Sequence, residues 1–172
     1  MDMLRHGLKL ICCLLALSGC HRRGPNPSSL ESRGLKVGKI EVRIESGALE
    51  EERLDVFNRI SGTRQIEEQV LEKLKARNLY DASGPVSLRL SVNSFRLRHG
   101  ATRFFTGFQS GSDNVGARVQ LFQKQALLLD TRAEVSGGNG NMFNISRESR
   151  GKALFDGLSK RIVVLLTQES LR

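Results

Sequence analysis

Val86, Leu88, Leu90 and Val92 alternate with polar residues, and Phe95 and Leu97 continue the alternation in the opposite phase. A period of two sends these side chains to one side of a strand. Apolar residues on one side and polar ones on the other require a sheet with one covered face and one wet face. The change of phase predicts a β-bulge near Asn93-Ser94, because one extra residue returns Phe95 to the covered side. A fold for this chain must therefore cover one face of a sheet.

Other segments supply the rest of the sheet and its cover. Ile40, Val42 and Ile44 alternate with Glu41 and Arg43 and predict a first strand. Leu49, Leu54, Phe57 and Ile60 follow at looser, roughly helical spacing, which Gly62 breaks. Ile66, Val70, Leu71 and Leu74 mark an amphipathic helix, with Ser61 or Thr63 as its cap and Asn78 near its end. Gly100 to Gly116 reads as a loop, although it carries Phe104, Phe105 and Phe108. Val115, Ala117, Val119 and Leu121 predict a strand, with Ala126 to Val135 as its hairpin partner across Gln123-Lys124-Gln125. Gly137 to Gly140 reads as a turn or loop. Leu154, Leu158, Ile162, Val163, Leu165 and Leu166 then form the apolar side of a C-terminal helix. The order implies an α+β fold: a single domain, a mostly antiparallel sheet of about four strands, and two or three helices packed on one face.

The N-terminus has a different logic. Arg5 and Lys9 precede the apolar and small residues Leu10 to Leu17, and Leu17-Ser18-Gly19-Cys20 follows directly. A basic start, a short apolar run and small residues before a cut are the layout of a secretory signal. A transmembrane span would need roughly 20 apolar residues, and this run is shorter, flanked by Lys9 and by His21-Arg22-Arg23. The tetrapeptide resembles the lipobox of bacterial lipoproteins at every position, with Leu at −3, Ser at −2, Gly at −1 and Cys at +1. The resemblance implies cleavage between Gly19 and Cys20 and acylation of Cys20, palmitate included. Two or more acyl chains anchor a protein stably where one holds it reversibly. His21 follows the cysteine in place of the aspartate that retains many such proteins at the inner membrane. The expected location is therefore the outer membrane, with the domain facing the periplasm. On this reading residues 1–19 are the signal peptide, 20–36 a lipidated cysteine with a Pro/Ser/Gly-rich tether, and 37–172 the domain.

Cysteine and charge bound the chemistry. Cys12 and Cys13 leave with the signal and Cys20 takes lipid, so the mature domain has neither thiol nor disulfide. Loss of Asp2, Arg5 and Lys9 lowers the formal charge from +9 to +8. Such a surface favours anionic partners, but Lys and Arg are spread along the chain, and a scattered solvated surface is the favoured reading.

Arg103-Phe104-Phe105-Thr106-Gly107-Phe108-Gln109-Ser110-Gly111 resembles the signature loop of an uncharacterised family of bacterial lipoproteins, a domain of unknown function. The resemblance covers roughly residues 37–167 and implies a fold and a location, but no activity. Gln123-Lys124-Gln125 departs from the Asp and Thr-Gly turn of that family. Arg103, Phe104, Phe105, Gly107, Phe108 and Gly111 are the candidate partner-binding loop; the alternative folds the loop back to cap the sheet.

Catalytic motifs are missing. The mature chain keeps only His21 and His99, with no His-x-x-x-His, Cys-x-x-Cys, Gly-x-Ser-x-Gly or phosphate-loop spacing. Glu50-Glu51-Glu52 fits a helix start, and Glu67, Glu68 and Glu72 fit a solvated helix face. Arg89, Arg96, Arg98 and Arg103 approach a basic patch, but one Tyr and no Trp leave little to stack on bases. The expectation is a non-enzymatic envelope lipoprotein without metal, cofactor or nucleic acid, which binds or supports another envelope component such as a protein. The alternative is an envelope hydrolase acting on an anionic polymer.

Overall fold

The computed structural model describes residues 29–98, 112–137 and 146–168. Their elements run β1 (Val37–Ile44), α1 (Glu51–Arg59), α2 (Gly62–Ala76), β2 (Val86–Arg96), β3 (Asp113–Gln123), β4 (Ala126–Gly137) and α3 (Arg147–Gln168). The strands form one sheet in the order β1-β2-β3-β4. β1 runs parallel to β2, and the other two pairings are antiparallel. A parallel pair needs a crossover, which α1 and α2 supply. This is the α+β domain that the residue pattern predicts, with a mixed, mostly antiparallel sheet.

The bulge falls where the phase change requires it, between Val92 and Ser94, and Phe95 returns to the core opposite Val115. Gln123 pairs with Ala126, so the β3–β4 connection is the two residues Lys124 and Gln125, with Lys124 at φ 57°. β3 begins at Asp113, so it takes in the last residues of the stretch read as a loop.

Among the described residues, helices cover one face only. Leu88, Leu90, Val92 and Phe95 of β2 and Val115, Ala117, Val119 and Leu121 of β3 are buried with Ile66, Val70 and Leu74 of α2 and Leu158, Ile162 and Leu166 of α3. At the centre Phe57 meets Phe95 and Phe155 edge-on, with ring centroids 5.0 and 5.7 Å apart, while Phe95 and Phe155 stack at 5.9 Å. Lys73 Nζ joins Asp156 Oδ1 at 2.6 Å and ties α2 to α3.

Four details depart from the sequence reading. Gly62 does not break a helix but opens α2, because a Cβ there would lie 2.5 Å from the Phe57 ring. Ser61, at the N-cap position, has φ 53° and makes no side-chain capping bond. The side-chain cap belongs to α3 instead, where Ser149 N–H donates to Ser146 Oγ at 3.1 Å. Residues 29–36, read as the end of the tether, lie against the domain: Leu30 is fully buried and its N–H donates to the Leu166 carbonyl.

Candidate functional site

Among the described residues one face of the sheet carries no helix, and strand register sets the pattern of charge on it. Lys39, Glu41 and Arg43 occupy the polar phase of β1, while Ser87, Arg89 and Ser91 do so in β2. Gln120 and Arg118 continue it in β3, and Asp130 and Arg132 in β4. Arg43 pairs with Ser91, Ser91 with Arg118 and Arg118 with Arg132, so three arginines and a serine line up in one transverse row across all four strands. The next row reads Glu41, Arg89, Gln120 and Asp130.

Side-chain contacts hold this array in place. Arg43 Nε donates to Ser91 Oγ at 3.0 Å, and Ser91 is only 4% exposed. Arg118 donates to both oxygens of Asp130, at 2.8 and 2.5 Å, and Gln120 Nε2 reaches the same carboxylate at 3.2 Å. The hydrogen bond that Arg118 donates to Asp130, followed by the charge of that carboxylate, raises the Arg118 pKa above its ordinary value, and Glu45 adds to the effect. Arg89 lies over the Phe122 ring at 5.1 Å, with its Nε 3.5 Å from Glu41 Oε2. That Nε makes no hydrogen bond, so charge and ring, not an aligned bond, hold Arg89.

Two depressions mark the face. One, of about 330 Å³, is bounded by Arg43, Glu45, Ser91, Arg118 and Gln120. The other, of about 340 Å³, is bounded by Lys39, Glu41, Arg89, Phe122 and Lys124. Among the described residues Lys39, Arg43, Arg96 and Arg132 have no carboxylate within salt-bridge distance, and all four are exposed. Their guanidinium and ammonium groups are open to an anion. The scattered surface expected from the sequence is therefore, on this face, an ordered one. Arg43, Arg118 and Arg132 each occupy a polar position of an alternating segment, which is a signal legible in the sequence. Their alignment depends on register, which is not.

A second polar centre is buried at the opposite side of the sheet. Asp113 and Arg150, 5% and 6% exposed, pair at 2.8 Å. The Arg98 N–H donates to Asp113 Oδ1, and the Arg98 carbonyl accepts from Arg150 Nη2, both at 2.8 Å. The cluster ties together the end of β2, the start of β3 and the first turn of α3. Arg98, grouped with Arg89 and Arg96 in the sequence reading, belongs to this cluster and not to the open face.

The predicted loop residues Arg103, Phe104, Phe105, Gly107, Phe108 and Gly111 lie outside the described residues, as do His99 and the lipidation site Gly19-Cys20. Arg98 and Asp113 hold the two chain ends from which that loop departs. Among the described residues no group of three or more His, Cys, Asp or Glu side chains gathers in a way that could hold a metal ion.

No family model and no curated protein sequence matches this chain. Among solved structures it is similar to a point variant of the PelC dodecamer from Paraburkholderia phytofirmans, at 14% identity and a TM-score of 0.47 over 78% of this chain and 92% of that one. It is also similar to a minor lipoprotein from Acinetobacter baumannii, at 12% identity and a TM-score of 0.38 over 76% of this chain and 92% of that one.

Proposed function

We propose that this protein is a non-enzymatic lipoprotein of the bacterial cell envelope, anchored in the outer membrane through acylated Cys20, whose α+β domain faces the periplasm and binds another envelope component. The observation that carries the reading is Leu17-Ser18-Gly19-Cys20, placed directly after a basic start and a short apolar run. The position of the domain supports it. Leu30, only ten positions after Cys20 in the sequence, is already buried in the domain. No helix among the described residues is long and apolar enough to cross a membrane. The open, cation-lined face supports a binding role, since those side chains contribute little to the core.

Replacing Cys20 tests the anchor. Cys20→Ala is expected to yield an unprocessed precursor or a protein released from membranes, read by fractionation and by mass spectrometry of the N-terminal peptide. Unchanged membrane fractionation, together with no lipid mass on Cys20 of the unaltered protein, overturns the proposal.

A further inference from the structure

We propose that the helix-free face binds a linear glycan carrying carboxylate groups, laid across the row Arg43, Ser91, Arg118 and Arg132. The inference deepens the envelope role proposed above and rests on it for where the ligand would be met. Its warrant is the face itself.

Carboxylates are matched by the planar guanidinium fork, which offers two parallel donors. The row presents guanidinium groups on β1, β3 and β4, with Ser91 of β2 between the first two, and strands in a sheet lie roughly 4.8 Å apart. Arg43 is held by a neutral hydroxyl alone, so its charge is not cancelled by a carboxylate among the described residues. Arg132 stands exposed at the other end of the row, with no carboxylate among the described residues within salt-bridge distance. Arg118, between them, is fixed by Asp130 and is therefore a positioned donor and not a loose one.

The acids on the face decide what kind of anion fits. Glu41, Glu45, Asp130 and Glu134 are interspersed with the bases. A uniformly dense polyanion would bring negative groups against all of them. A glycan alternates carboxylates with hydroxyls, and hydroxyls donate to Glu41 and Glu45 while accepting from Gln120 and Ser91. Arg43 and Arg118 also border a depression of about 330 Å³, and Lys39, Arg89 and Lys124 one of about 340 Å³, where a chain can lie. A carboxylated chain is thus favoured over an anionic lipid surface.

The test uses the full lipidated chain in nanodiscs of uncharged phosphatidylcholine, titrated with polygalacturonate and, separately, with neutral dextran. Polygalacturonate should bind and weaken steeply with added salt, while dextran should not bind. Arg43→Gln with Arg132→Gln should weaken polygalacturonate binding by about tenfold or more, the loss of a charged hydrogen bond at each site. Arg77→Gln with Lys152→Gln removes the same formal charge from exposed sites on the helical layer and should leave binding unchanged. Equal weakening by both pairs overturns the assignment in favour of diffuse charge, and so does failure of the unaltered protein to bind polygalacturonate. A third arm offers the Cys20→Ala chain vesicles of phosphatidylglycerol. Row-dependent capture of vesicles without binding of polygalacturonate overturns the glycan in favour of a membrane surface. The anchor is read independently from the lipid mass on Cys20, so polygalacturonate binding by a chain without lipid keeps this inference while the anchor reading fails.

Discussion

The two faces of the sheet use the same strands for opposite purposes. On the covered face Leu88, Leu90, Val119 and Leu121 are fully buried beneath α2 and α3. One residue along each strand, Arg89, Ser91, Arg118 and Gln120 face the other way, into a layer of ion pairs and donors. Apolar burial contributes about 25 cal/mol per Å² removed from water, whereas exposed ion pairs contribute about 0–1 kcal/mol each. Stability should therefore reside almost wholly on one face, leaving the chemistry of the other free to serve a ligand. Mutations that separate the two faces can break this division or sharpen it.

The largest effect is expected at the aromatic centre. Phe57→Ala removes the ring that touches both Phe95 and Phe155. It should cost about 3–5 kcal/mol in urea or guanidinium unfolding, the lost transfer energy plus a cavity. A loss below about 1 kcal/mol would mean that the site collapses freely and that the core is not the rigid partner of the comparison. Arg150→Met comes next, removing the nearer of the two guanidinium groups beside the buried Asp113, at 2.8 Å, and leaving that of Arg98 at 3.8 Å. Breaking one side of a buried pair costs about 3–5 kcal/mol, and the lower end applies because the Arg98 N–H still holds Asp113. If Asp113→Asn combined with Arg150→Met recovers most of the loss, the penalty lies in the stranded charge and not in lost packing.

A smaller effect depends on pH. The hydrogen bond from Lys160, followed by that from Lys73, holds the Asp156 carboxyl below its ordinary range. A carboxyl whose folded pKa is depressed contributes stability above its unfolded pKa and loses it as pH falls through the folded value. The window thus opens near pH 4, the unfolded aspartate value, and extends to lower pH. Asp156 is 39% exposed, so solvent and salt limit the contribution to below about 1 kcal/mol. Unfolding curves at neutral pH and at about pH 3 should converge slightly in Asp156→Asn relative to the unaltered protein. No change in that difference would show that Lys73 and Asp156 do not hold α2 and α3 together in solution.

The covered face was far more legible in the sequence than the open one, for a physical reason. Burial imposes periodicity on each segment separately, so Val86 to Leu97 announced a strand, its buried side and its bulge without reference to any neighbour. The open face has no such local rule. Arg118 and Arg132 share one hairpin, but Arg43 lies on a strand much earlier in the chain, and only pairing register brings the three into one row. The Asp113–Arg150 pair was hidden in the same way, since 37 residues separate partners that each look like an ordinary surface charge. Gly62 was misread because its reason is a contact with Phe57, whereas a glycine's usual local meaning is a helix break. The fold class therefore followed from the pattern, while the candidate site required the strands to be assembled first.

The smallest expected effect sharpens the comparison most. Arg43→Gln with Arg132→Gln removes two exposed cations from the open face and breaks no ion pair among the described residues. Gln at position 43 is too short to keep the full reach of the guanidinium, and Ser91 Oγ, 4% exposed, then loses the one bond it accepts from Arg43. Unfolding free energy should stay within about 0.5 kcal/mol of the unaltered protein, the range of ordinary surface changes. A slight gain is the expected sign, because like charges in one row repel and the whole chain carries +9. A loss of about 2 kcal/mol or more, as when a buried network is broken, would instead assign the row a structural role, with Ser91 as its anchor. Neutral or improved stability leaves two aligned arginines that the fold does not need, and that is the condition under which a ligand is the reason for them.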